Sequence, residues 1–336
     1  MRRSKEITKY RGSKAIVLLF GLFFIFNALP SFAQTKLSIS TILLGTLGWP
    51  MLVASEKGLF SQEGLAVEML ELRKASLVAQ SVIARSTPIA VISTDAAIMA
   101  MEKGANISII SSVIKAPTSV LVALPKYRSV KELKKVKIGT AGPGGTTTQL
   151  EMILNQEGLR RNDDYILITI GSTRERYLAL KVEGIDAAIL SPTASFEAVD
   201  AGLSVLAYTG NYMKDYIQLV SAVNASYAVD HPDIVVKYLK SMIKAGRWLT
   251  DPKNKEMAVN ILIKYEKMTP QTGQRVYDYL VNQIGAVSRD GDVNPDGMRS
   301  VMAVLARTHP TTTPDYKKFL NLKYLALAHK ELGITN

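Results

Sequence analysis

Three junctions in the middle of the chain carry the residues best suited to hold a ligand. Val136-Lys137-Ile138-Gly139-Thr140 leads into Gly142-Pro143-Gly144-Gly145-Thr146-Thr147-Thr148. Ile166-Leu167-Ile168-Thr169-Ile170 leads into Gly171-Ser172-Thr173-Arg174, and Ile185-Asp186-Ala187-Ala188-Ile189-Leu190 into Ser191-Pro192-Thr193. Each is an apolar run that gives way to small residues and then to a helical pattern. Such a succession leaves free backbone N–H groups of a helix start at the C-terminal edge of a parallel sheet. Those groups and the helix dipole together favour an anion. The chemistry this predicts is capture of a small molecule, with no catalytic machinery attached.

The individual candidates each have a ligand role and a plainer one. Gly144, Gly145, Thr146 and Thr147 form either a cradle of N–H and hydroxyl donors or a glycine-rich helix cap. The turn is not a P-loop, because that motif's Lys is missing. Arg174 falls in the first turn of a helix, where its charge opposes the dipole. A ligand oxyanion would offset that, and so would pairing with Glu175 or Asp186, or exposure to water. Trp49 sits in the first loop, either to stack on a ligand or to pack between lobes. Ser93, Thr94 and Asp95 begin a helix facing the same cleft, with Ser93 as its cap. Ser191 and Thr193 have the same double reading, as do Thr118 and Ser119 near a crossing between lobes. Ser172 and Glu175 have capping-box spacing, as do Ser129 and Glu132.

Catalytic signatures are missing. His231, His309 and His329 are far apart, and two precede proline, which reads as turn or surface. There is no H-E-x-x-H, no G-x-S-x-G and no cysteine. Asp163-Asp164 and Asp290-Gly291-Asp292 read as turns, and no metal-ligand cluster or cofactor motif is present.

The elements that position these residues form two β/α blocks. Residues 37–42 read as a strand, a helix starts at Pro50 and stops at Gly58, and strands follow at 67–72, 89–92 and 107–113 with helices between them. That series, like the second, implies a parallel sheet. After Tyr208 a strand over 216–223 returns to the first block. The remainder is helical: 233–249, 254–266, 270–284, 295–306 and 314–331, with prolines marking the starts. Two crossings, near 118–124 and 216–224, describe a hinge that opens and closes around a ligand.

The N-terminus adds a destination. Arg2, Arg3, Lys5, Lys9, Arg11 and Lys14 precede an apolar run from Ala15 to Leu29 and the triplet Ser31-Phe32-Ala33. This is the pattern of a secretory signal peptide cut after Ala33; about 15 apolar residues are short for an anchoring span of ~20, the other reading. Without residues 1–33, which hold six Lys/Arg and one Glu, the formal charge of +12 falls to +7. With no nucleic-acid-binding motif, that charge reads as a mildly basic solvated surface suited to small anions or anionic lipid headgroups.

Gly48-Trp-Pro-Met-Leu-Val-Ala-Ser-Glu-Lys-Gly-Leu-Phe-Ser-Gln-Glu-Gly-Leu after the first strand, Ser129-Val-Lys-Glu-Leu-Lys-Lys-Val-Lys-Ile-Gly-Thr, and Gly184-Ile-Asp-Ala-Ala stand in one order. Together they resemble periplasmic solute-binding proteins of nitrate/sulfonate/taurine-type ABC transporters, a family with relatives that bind thiamine-precursor pyrimidines. Ser86-Thr87-Pro88 and Arg73-Lys74-Ala75-Ser76 depart from its pattern, at positions that bear on the ligand. The resemblance implies an α/β, type II periplasmic-binding-protein-like fold. Residues 36–120 and 220–310 would form lobe 1, 121–219 lobe 2, and 311–336 a C-terminal helical segment. It implies a non-enzymatic protein outside the cytoplasm that hands a small anion, such as a sulfonate, a carboxylate or an aromatic acid, to a membrane permease. The alternatives are an enzyme on the same fold, of dehydratase or pyrimidine-synthase kind, and a sensor that presents its closed form to a membrane receptor.

Overall fold

The computed structural model describes residues 34–42, 44–72, 74–142, 145–213, 215–308 and 315–335. The expected signal segment, residues 1–33, lies outside them. The first block runs β1 (Thr35–Thr41), α1 (Trp49–Glu56), α2 (Leu59–Gln62), β2 (Leu65–Glu71), α3 (Ala75–Ile83), β3 (Ile89–Ser93), α4 (Thr94–Glu102) and β4 (Ile107–Ile114). The second runs β5 (Val120–Ala123), β6 (Val136–Thr140), α5 (Thr146–Gln156), β7 (Tyr165–Thr169), α6 (Thr173–Lys181), β8 (Ala187–Leu190), α7 (Pro192–Asp200), β9 (Ser204–Tyr208) and α8 (Thr209–Tyr212). The chain returns through β10 (Leu219–Asn224) and continues as α9 (Ala225–Asp230), α10 (Pro232–Thr250), α11 (Lys255–Glu266), α12 (Pro270–Tyr277), α13 (Pro295–Thr308) and α14 (Lys323–Glu331).

The strands form two five-stranded sheets, ordered β2-β1-β3-β10-β4 and β7-β6-β8-β5-β9. Both are mixed, not purely parallel as the alternating pattern predicts. β10 runs antiparallel to β3 and β4, and β5 antiparallel to β8 and β9. The reason is the crossing itself. Each of these strands enters from the other sheet, so it starts at the edge where its neighbours end. β3 and β10 are buried along their whole lengths, which suits their Val- and Ile-rich runs.

Prolines at the first turn of α1, α7, α10 and α12 do what their fixed φ allows. The helix expected over 270–284 is interrupted: α12 stops at Tyr277 and Asp278–Gln283 form a π-helical turn. The C-terminal residues dock onto the first half of the molecule. Leu320 bridges Ile109, α14 packs on α10, and the Tyr324 hydroxyl donates to the Ala228 carbonyl at 2.6 Å. His329 is buried in α14 with its Nε2 2.7 Å from the Asp290 carbonyl, so it is a core residue and not the turn or surface residue its sequence context suggests.

One hydrophobic cluster reaches both sheets. It holds Ile92 and Val220 of the first, Ile138 and Ile189 of the second, and Val301 and Leu305 of α13. Since α13 packs on α4 and on α5, it braces the two halves from one side.

Glu63, just after α2, takes Lys240 at 2.7 Å and Lys244 at 2.5 Å, and Lys240 also reaches Glu331 of α14 at 3.0 Å. Burial opposes ionisation of Glu63, but the two lysine hydrogen bonds outweigh it and hold the carboxyl below 4.5. A lowered folded value stabilises above the unfolded value and loses that contribution as pH falls through the folded one. Glu63→Gln should cost about 1–3 kcal/mol in urea unfolding at pH 7, with the gap to wild type closing as pH drops below ~4. A gap that persists unchanged at low pH would contradict the ion pair.

Candidate ligand-binding cleft

Helix starts from the two sheets meet head to head. Ser93 is the N-cap of α4 and Gly145 that of α5. Asp95, in the first turn of α4, accepts from its own helix at Ala96 N–H (2.9 Å) and from Gly145 N–H across the cleft (2.7 Å). A carboxylate placed there sits at two positive helix ends at once. Gly145 has φ +55° and ψ −125°, backbone that suits glycine and that lets this N–H face Asp95.

Around that contact, buried polar atoms outnumber their partners. The hydroxyls of Ser93, Thr94, Thr118 and Thr147 make no hydrogen bond although each residue is at most 5% exposed. Ser93 occupies the cap position but makes no side-chain cap bond, so its Oγ is not spent on the helix. A buried hydroxyl without a partner costs about 1–3 kcal/mol, which makes four in one neighbourhood a functional signature.

Gln218 ties this neighbourhood to the two crossings between the sheets. It stands in the second crossing, between α8 and β10. Its Oε1 accepts from Thr118 N–H of the first crossing at 2.7 Å, its carbonyl accepts from Thr94 N–H at 3.1 Å, and its N–H donates to the Ile114 carbonyl at 2.9 Å. The two crossings and the start of α4 therefore share one side chain and one peptide.

A second seam lies along α7. Thr193, Phe196 and Asp200 are spaced i, i+3, i+7, one face of a helix, and that face meets the first half of the molecule. The Thr193 hydroxyl donates to Glu266 Oε2 at 2.6 Å, while Thr46 donates to Glu266 Oε1 through its hydroxyl at 2.6 Å and through its N–H. Phe196 meets the Tyr279 ring edge-on at 6.1 Å and carries Arg275 over its face at 4.5 Å. Arg275 then holds both oxygens of Asp200 at 2.8 and 2.9 Å.

The expected site residues divide. Ser93, Thr94, Thr118, Gly145 and Thr147 come together as described. Thr146 and Ser191 are half-buried at the starts of α5 and α7, with Ser191 N–H donating to Thr173 Oγ1 at 2.9 Å. The Thr193 hydroxyl is committed to Glu266. Ser172 caps α6 in a full capping box with Glu175. Gly144 lies outside the described residues. Trp49 is not at the cleft edge: it is fully buried, donates Nε1–H to the Ala258 carbonyl at 3.1 Å and packs edge-on to Tyr277. Its loop is short enough that the indole starts α1 and falls on the helix's core face. Arg174 is exposed and paired with Glu197 at 2.8 Å, neither of the partners its sequence neighbours offered.

Sequence spacing passed over Arg176. It is 5% exposed, and its guanidinium donates to the carbonyls of Ile189 (2.9 Å), Ile170 (3.1 Å) and Gly171 (2.7 Å). Burial pulls its pKa down to about 10, Glu175 opposing. Its partners are carbonyls, so it lends positive potential to the C-terminal edge of the second sheet. The available signal was its place with Tyr177 and Leu180 on the buried stripe of α6. Among the described residues no group of three His, Cys, Asp or Glu is placed to hold a metal.

Residues 48–254 match the model of the family described as NMT1/THI5 like. The chain belongs to the NMT1/THI5-like family. No match among curated protein sequences accompanies it. The fold of this family member is that of periplasmic binding proteins. It is similar to a periplasmic sulfonate-binding protein, SsuA, from Methylobacillus flagellatus, at 18% identity and a TM-score of 0.70 over 90% of this chain and 96% of that one. It is similar to the nitrate-binding protein NrtA from Synechocystis PCC 6803, at 15% identity and 0.74 over 90% of each. The desulfurization enzyme DSZB shares the fold at 13% identity and 0.67, over 89% of this chain and 100% of that one.

In this NMT1/THI5-like protein, Gln218→Ala should leave Thr118 N–H buried and unpaired and lower unfolding stability by about 1–3 kcal/mol. Gln218→Glu, which keeps an acceptor, should retain most of it. Equal stability of Gln218→Ala and wild type in urea would show that the crossings are not held by this side chain.

Proposed function

We propose that the chain is the extracytoplasmic solute-binding component of an ABC-type uptake system, capturing a small anionic ligand between its two halves. The observation that carries this reading is the group of unpartnered hydroxyls where α4 and α5 meet. They can donate to the oxygens of a ligand such as a carboxylate or sulfonate. Helix starts and the buried charge of Arg176 add a potential that favours such oxygens. The names of the sulfonate- and nitrate-binding proteins that share the fold point the same way. They also support a permease as the partner and a periplasmic site of action, which the N-terminal sequence pattern fits.

The mechanism is differential binding. A ligand that reaches donors of both halves binds the closed form better than the open one, and its affinity for closure shifts the equilibrium. The permease reads the closed form. No step of this requires a cofactor or bond cleavage. DSZB shows that the fold also hosts an enzyme. Among the described residues, the hydroxyls of the cleft stand with an amide and a carboxylate, and no histidine is bonded to them.

A panel of nitrate, methanesulfonate, acetate and benzoate should contain a ligand that raises the melting temperature, since a hundredfold excess over the dissociation constant stabilises by about 2.7 kcal/mol. A panel that shifts nothing contradicts an anionic ligand. With its charge already offset by Glu197, Arg174→Ala should change affinity for that ligand less than about twofold, the ordinary weight of an exposed ion pair. A tenfold loss would place Arg174 in the site.

A further inference from the structure

Tyr279 is the second residue of the π-helical turn Asp278–Gln283. A single π turn re-aims side chains within a helix and is frequent at functional sites. Here it presents Tyr279 to the other half of the molecule. Its ring meets Phe196 of α7 at 6.1 Å and Tyr208, at the end of β9, at 5.6 Å. The ring is 6% exposed, and its hydroxyl has no hydrogen-bond partner. The segment beyond the turn is fixed to the first crossing, where Lys115 N–H donates to the Ala286 carbonyl at 2.7 Å and Ile114 bridges Val287. Tyr208 borders the same crossing, being in register with Val120. Thr118, whose hydroxyl is also unpartnered, stands between these two contacts in the chain.

A buried tyrosine ordinarily finds a partner for its hydroxyl. Tyr279 keeps its proton, because burial, and secondarily Tyr208, push its pKa well above 10. The hydroxyl is thus a donor in search of an acceptor, in an aromatic seam that both halves build. Resting on the reading of the cleft as a site for a small anion, we infer that Tyr279 is a ligand-contacting residue that sets specificity. Its hydroxyl donates to an oxygen of an aromatic acid whose ring lies against the Phe196–Tyr208–Tyr279 seam. Aliphatic acids and nitrate meet the helix starts but have no ring to place there. Phe196 is held in position by Arg275, itself fixed on Asp200, so the seam is supported from behind.

The test is isothermal titration calorimetry of the full protein with benzoate, acetate and methanesulfonate, together with melting of the ligand-free proteins. Wild type should bind benzoate at least tenfold more tightly than acetate. Tyr279→Phe, which removes one oxygen and keeps the ring, should weaken benzoate at least tenfold and leave acetate and methanesulfonate within twofold. Its ligand-free melting temperature should equal or exceed that of wild type, because the oxygen removed is unpaired in the free protein. Benzoate binding unchanged by Tyr279→Phe overturns the inference and leaves the anion site standing. So does wild type that binds acetate or methanesulfonate but not benzoate. A ligand-free Tyr279→Phe protein that melts lower than wild type overturns it too, since the hydroxyl would then be satisfied from within. Wild type that binds none of the three acids removes both the inference and the reading beneath it.

Discussion

Two sheets can face each other across a cleft only if the unpaired N–H groups at their helix starts find partners. The rest of this structure depends on how that constraint is met. One start is supplied from within: Asp95 satisfies Gly145 across the gap while sitting in the first turn of its own helix. The hydroxyls beside it are left unsatisfied. The proposed ligand would complete four buried hydroxyls that stand without partners beside one carefully paired carboxylate. Gly145 belongs to the same arrangement, because its backbone geometry aims the N–H at Asp95.

Beside the small aromatic seam of Phe196, Tyr208 and Tyr279, the contacts that join the halves at the cleft are of a kind that can be made and broken. Glu266 with Thr46 and Thr193, Arg275 with Asp200, and Asp95 with Gly145 are polar and few. Each is worth about 1 kcal/mol net, because opening exchanges it for water. A large apolar interface at the same place would lock the molecule shut. The permanent join lies elsewhere, in the cluster shared by both sheets and α13 and in the crossings fastened by Gln218. A firm back and a weakly latched front are what the proposed closure about a hinge would require.

Much of this was legible in the residues. The strand-to-helix junctions, the proline starts and the crossings follow from local rules, and they put the helix starts at one edge of each sheet. Ser93, Thr94, Gly145 and Thr147 stand at helix starts, as small residues after an apolar run signal, and Thr118 stands at the first crossing. Trp49 was misplaced for a reason of the same kind: an aromatic beside glycines in a loop looks available, whereas the first turn of α1 faces the core. Glu266, Gln218 and Tyr279 gave no local sign. Their partners stand far away in the chain, 220 residues in the case of Thr46 and Glu266 and 100 in that of Thr118 and Gln218. The π turn that aims Tyr279 interrupts a pattern that reads as plain helix. Arg174 and Arg176 show the limit of charge as a clue, since the one in the first turn of the helix is exposed and paired with Glu197 and the one two positions on is buried on three carbonyls.

The central claim is that the meeting point of α4, α5 and the first crossing is where a ligand is held. Amide hydrogen exchange, read peptide by peptide with and without saturating benzoate or methanesulfonate, tests it most directly. Slowing should concentrate in residues 93–97, 118–120 and 145–149, with the second crossing, residues 215–219, following if closure is stabilised. Slowing confined to other surfaces, or none at these segments with a ligand demonstrably bound, would contradict the account.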